Sequence, residues 1–131
     1  MPSDQTSTAT QENADLRFAA KLLFQFRVVT DGKPNVMRLC EERIVLINAP
    51  SGHEALAIAK RKGKSAQHRY ENDTGGKVHF EFVGIMDLLH LGGECEEDEV
   101  WYDITQRKLP IERAEAILPA ESELQAIRME Q

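Results

Sequence analysis

Residues 16–28 read LRFAAKLLFQFRV. Every even position there (Leu16, Phe18, Ala20, Leu22, Phe24, Phe26, Val28) is apolar, and the odd positions read Arg17, Ala19, Lys21, Leu23, Gln25 and Arg27. Successive side chains of a strand point to opposite faces, so a period of two describes a strand with one face in a core and the other mostly in water. A strand of this length marks the protein as a long-stranded, mainly antiparallel sheet, and it carries no chemistry of its own.

Working outward, Asp31-Gly32-Lys33-Pro34-Asn35 is a turn cluster that reverses the chain. A second strand is expected over residues 36–48. Its end, Ile44-Val45-Leu46-Ile47, is apolar on both faces and is expected to be covered on both sides, whereas its middle, Glu41-Glu42-Arg43, is charged on both. Ser51 and Glu54 then have the spacing of a capping box, in which hydroxyl and carboxylate satisfy orphaned backbone N–H groups. This predicts a helix over about 51–61, with Ala55, Ile58, Ala59 and Lys62 on one side and Gly63 as its C-cap. Residues 67–71 and 77–83 flank Asn72-Asp73-Thr74-Gly75-Gly76, a hairpin loop. Pairing Tyr70 with Val78 collects Tyr70, Val78, Phe80 and Phe82 on one face and Arg69, Lys77, His79 and Glu81 on the other. The alternation blurs after Gly84, which predicts a bulge or bend there. Gly92-Gly93 ends that strand, an acidic loop follows, and a last strand is expected over 100–107. Pro110 can open a helix in IERAEAIL, and Pro119 stops it.

The expected fold is therefore α+β: a mainly antiparallel sheet of about five strands in the order β-β-α-β-β-β, with one helix packed on one face. Residues 1–14, polar and without period, read as a disordered tail. Residues 15–109 read as a single domain and 110–131 as a C-terminal helical extension. The expected core is Leu22, Phe24, Phe26, Ile44, Leu46, Ile58, Val78, Phe80 and Phe82, with Cys40 as a small core hydrophobe.

The succession KLLFQFRV, EERIVLINA, HEALAIAKRKG and YEND-x-GGKVHFEFVGIMDLL resembles a family of small bacterial proteins known as a domain of unknown function. Members read as a KLLF-type strand, an ER-I-V-type strand, an E-E-A-L-type helix and a K-V-x-x-x-F-V-G strand. The resemblance covers about residues 20–102 and rests on order and character more than on one motif. It implies the same fold and a bacterial origin, and it brings no activity with it.

Composition narrows the function classes. The 131 residues carry a net charge of −6. Residues 1–66 hold ten Lys and Arg against seven Asp and Glu, and residues 67–131 hold six against fifteen. An acidic chain repels a phosphate backbone, so nucleic acid is not the expected partner. No apolar run reaches the ~18–20 residues needed to span a bilayer, and the polar N-terminus has no secretory h-region. Two cysteines, Cys40 and Cys95, make no disulfide framework, and the cytoplasm is the expected compartment.

Candidate chemistry is sparse. Arg43 inside an otherwise apolar strand needs a partner, and Asp87, in the apolar run after Gly84, or Glu41 can supply it. These three form the candidate ligand or partner site, together with Trp101 and Tyr102, expected on opposite faces of the last strand. His53, His68, His79 and His90 lack metal-ligand spacing, and the acidic run at 94–99 lacks the alternating ligand order of a calcium loop. No metal and no cofactor is implied. Ser51 is explained as a helix cap, and the glycine pairs form no phosphate-binding loop. No catalytic residue is assigned. The chain reads as a non-enzymatic protein-interaction module that binds a protein partner or itself. The alternative is a small enzyme or ligand binder with a polar pocket between helix and sheet near Arg43 and Asp87.

Overall fold

The computed structural model describes residues 16–92 and 95–130; the tail expected over 1–14 lies outside them. The chain divides into two compact units, one ending at Trp101 and the other running from Tyr102. In the first, the alternating stretch forms β1 (Leu16–Thr30), followed by β2 (Lys33–Pro34), β3 (Leu39–Ala49), helix α1 (Gly52–Ser65), β4 (His68–Glu71) and β5 (Lys77–His90). All pairings are antiparallel. β1 is central: β2 and β3 lie along one side of it, β5 along the other, and β4 flanks β5.

The α+β class and the five-stranded antiparallel sheet agree with the sequence reading, but the order along the chain is β-β-β-α-β-β. The strand expected over 100–107 does not form; those residues have no regular secondary structure. The fifth strand is β2, created by a two-residue turn in which Asp31 (φ 54°) and Gly32 (φ 76°) both take positive φ, the geometry that closes a hairpin tightly. Asn35 extends this pairing, its backbone N–H donating to Val28 O at 2.9 Å. The chain then leaves the ladder at Val36 and Met37, 94% and 90% exposed, and rejoins it at Leu39 opposite Phe26. The second strand therefore starts later than its apolar residues suggest.

Phe18, Ala20, Leu22 and Phe24 of β1, Ile47 and Ala49 of β3, and Phe80 of β5 form the core with Ala55 and Ala59 of α1. Phe24 and Phe80 stack with centroids 4.7 Å apart. Ser51 caps α1, its hydroxyl accepting from Glu54 N at 3.2 Å. The helix runs past Gly63 to Ser65, with Ala66 as its C-cap. Gly63 is instead buried: a Cβ there would overlap the Phe82 ring, so the small stripe Ala55, Ala59, Gly63 lets the helix lie close to the sheet. Phe26, Ile58 and Phe82 are only partly buried. Ile44 and Leu46 are 43% and 50% exposed, a correction to the expected core. They point away from α1, and β3 is covered on one face only. Cys40 is exposed for the same reason.

The β4–β5 hairpin has the expected register, Tyr70 opposite Val78 and Glu71 opposite Lys77. Asn72 Oδ1 accepts from Thr74 N, Thr74 Oγ1 and Gly76 N, closing the loop. Two register shifts in the β1–β5 ladder leave Val83 and Met86 unpaired on either side of Gly84, which accounts for the lost alternation. In the second unit, the residues after Pro110 form single helical turns: α2 (Ala114–Ile117), a 3₁₀ turn (Glu121–Glu123) and α3 (Gln125–Arg128).

Candidate functional site

The ladders decide which candidates can meet. Leu22 faces Arg43, and Phe24 faces Glu41, so both charges lie on the α1 side of the sheet. Asp87 faces Lys21, on the other side. The pocket expected between helix and sheet near Arg43 and Asp87 is therefore not formed, and Arg43 pairs with Glu41 alone of the two carboxylates. Glu41 Oε2 accepts from Arg43 Nε at 2.6 Å and is equally close to Nη2. The guanidinium carbon of Arg43 lies 4.7 Å from the centroid of the Phe24 ring and 5.6 Å from that of Phe80. The pair thus covers the aromatic core at a sheet edge, charge outward and stem over the rings. Asp87 is exposed and accepts from the N–H of Leu88 at 2.8 Å.

Trp101 and Tyr102, with no strand beneath them, do not form the expected two-faced pair. Trp101 is half-buried with the Lys21 ammonium 5.0 Å from its ring centroid. Tyr102, 39% exposed, opens the second unit. Of the acidic run, Glu94 lies outside the described residues. The remainder is bound through its backbone: the Arg17 guanidinium donates to the carbonyls of Glu96 at 2.8 Å, Glu99 at 3.2 Å and Glu97 at 3.4 Å. The sheet face opposite α1 is consequently less wet than the period of two suggests. Ala19 is fully buried there.

That face also holds the most organised polar group among the described residues, which the sequence reading missed. Arg27 grips Glu81 with both ends of its fork, Nε to Oε1 at 3.0 Å and Nη2 to Oε2 at 2.7 Å. Gln25 donates to the same Oε1 at 2.9 Å and accepts from Arg38 Nη1 at 3.2 Å. The Arg27 hydrogen bond first, then that of Gln25, lowers the Glu81 carboxyl to a pKa of about 2, and Glu81 in turn raises Arg27. The signal was present in the polar odd positions of the first strand. Using it required knowing that this strand pairs with residues 77–90. An open recess of about 380 Å³ at the hairpin is lined by Arg69, Tyr70, Glu71, Lys77 and His79. Another of about 630 Å³ lies between α1 and β5, beside Leu56, Lys60, Lys64 and Phe82. Among the described residues, no group of His, Cys, Asp and Glu is placed to hold a metal ion.

The two sheet edges differ. Among the described residues, β5 beyond Phe80 has no strand on its outer side, but it is broken by the two bulges, and Gln67 Oε1 accepts from Phe82 N at 3.0 Å. The β1–β3 ladder runs without a shift from Leu16–Ala49 to Phe26–Leu39, and among the described residues nothing pairs with the outer edge of β3. An unbroken edge strand presents a row of N–H and C=O groups able to take a further strand.

A short capped helix across part of a meandering antiparallel sheet, with charges at one edge, defines a small α+β domain. The chain belongs to the family described as Domain of unknown function (DUF4288), which matches residues 17–100. Searches of curated proteins and of solved structures find no match. Among the described residues, no helix is long and apolar enough to cross a membrane.

Proposed function

We propose that this domain is a protein-interaction module that acts by accepting an extended strand on the outer edge of β3. The observation that carries the reading is the contrast between the edges: β3 is eleven residues long and free of bulges, whereas β5 is kinked and blocked. Strand addition draws affinity from main-chain hydrogen bonds and specificity from alternate side chains. Ile44 and Leu46, half exposed on the face away from α1, supply those side chains, with the exposed Val36 and Met37 beside the start of the strand. A contact led by main-chain pairing at the edge depends only weakly on salt. Two unpaired cysteines fit a reducing, cytoplasmic setting.

The test compares proteins that copurify with the full chain and with two folded variants, Leu46→Lys at the β3 edge and Met86→Lys at the β5 edge. A partner retained by wild type and by Met86→Lys but lost by Leu46→Lys supports the reading. The same partners on all three chains overturn it.

A further inference from the structure

We infer that the recess between α1 and β5 is a binding site for a medium-chain carboxylate, with the head group held by Lys60, Lys64 and Gln67 and the chain laid over Leu56, Phe82 and Ile85. The recess holds about 630 Å³, within the range of about 300–1,000 Å³ usual for small-molecule sites. Leu56, Lys60 and Lys64 stand one turn apart along the side of α1 that lines it, a row about 12 Å long. An extended decanoate matches that length. The row is apolar at one end and cationic at the other, and Phe82 and Ile85, both only partly buried, supply the apolar floor.

Three donors are unspent at the cationic end. Among the described residues, no carboxylate pairs with Lys60 or Lys64. Lys64 sits in the last turn of α1, where a cation suits the helix dipole, but Lys60 lies a turn earlier. Like charges four residues apart on a helix repel, and an anion between them turns that repulsion into attraction. Gln67 is the third donor. Its Oε1 accepts from Phe82 N at 3.0 Å, which fixes the amide and leaves Nε2, with no acceptor among the described residues, to donate. That same bond takes a backbone donor of β5 that an added strand would need, so the recess favours a small amphipathic anion over an extended peptide. The site lies apart from the edge of β3 and does not rest on the edge-binding reading.

The experiment titrates the isotope-labelled full chain with decanoate, below its aggregation limit, and follows the amide NMR spectrum. Decanoate binds saturably and moves the side-chain NH2 signals of Gln67. Acetate, which has the head group alone, and decyltrimethylammonium, which has the chain with the opposite charge, do not bind at the same concentrations. Lys60→Ala with Lys64→Ala weakens decanoate binding by about tenfold or more, the loss of two charge-assisted hydrogen bonds. Arg61→Ala with Lys62→Ala, the same change of charge at exposed positions of α1 that do not line the recess, leaves it unchanged. Alanine is the strongest helix former, so α1 persists in both double variants, as circular dichroism checks. The absence of saturation, equal binding of acetate or decyltrimethylammonium, unmoved Gln67 signals, or an equal loss in the two double variants overturns the inference.

Discussion

Among the described residues, Glu81 is the one whose surroundings most change its behaviour. Three N–H donors from Arg27 and Gln25 converge on its carboxylate. Its pKa falls from 4.5 to about 2. A carboxyl depressed on folding adds stability above its unfolded pKa, and that stability is lost as pH falls through the folded value. The loss here spans pH 4.5 down to about 2. Denaturant midpoints for wild type and Glu81→Gln should differ most above pH 4.5 and converge toward pH 2; a pH-independent gap refutes the assignment. The gap should be small, since about a third of each side chain is open to solvent, at 29% for Arg27 and 31% for Glu81. Phe24 is the opposite case, fully buried and stacked on Phe80. Phe24→Ala should cost about 3–5 kcal/mol in denaturant unfolding, as deletion of a core aromatic does; an unchanged midpoint would place the ring outside the core.

At the scale of the element, Gly63 shows helix propensity yielding to packing. In a free helix, replacing this interior glycine with alanine would gain about 0.8–1 kcal/mol. Here the added Cβ would sit 2.7 Å from Phe82 Cγ and closer still to two other ring atoms. Overpacking of this kind costs about 1–3 kcal/mol, so Gly63→Ala should lower the melting temperature; a rise would mean that α1 can lift off β5. The same position explains a limit of sequence reading. A glycine after Lys60-Arg61-Lys62 looks like a C-cap until Phe82 is known to lie beneath it. Local signals were legible: the period of two in β1, the Ser51 cap, and the hairpin register, whose alternative would have put Arg69 and Glu71 on the aromatic face. Features set by distant partners were not. Ile44 and Leu46 look like core because apolar residues fill both faces of their run, but none of the described residues covers the face that carries them. Arg43 and Asp87 look complementary until the ladders place them on opposite sides. Val100 to Arg107 carries β-forming residues, but nothing in those eight residues records that no strand edge receives them.

For the molecule as a whole, the decisive fact is where the core is drawn from. Every residue of the buried cluster lies between Phe18 and Phe80, and the apolar residues packed against it reach only to Leu88. None comes from the second unit, whose short helical turns bury no residue of their own. The chain after β5 still contributes up to Trp101, because Arg17 holds the carbonyls of Glu96, Glu97 and Glu99 and Lys21 lies over the Trp101 ring. Cooperative stability follows the buried apolar contacts, so a chain ending at Trp101 should retain both the sheet and its thermal transition. Circular dichroism melting of residues 1–101 against the full chain measures this. A second truncation, ending at Leu91, keeps every core residue but strips Arg17 and Lys21 of the 96–101 segment and uncovers the face around Ala19, and it should melt lower than the first. If the chain ending at Trp101 loses its transition, residues 102–131 support the sheet and the core is not self-sufficient. If both truncations melt alike, the segment held by Arg17 adds nothing to the fold.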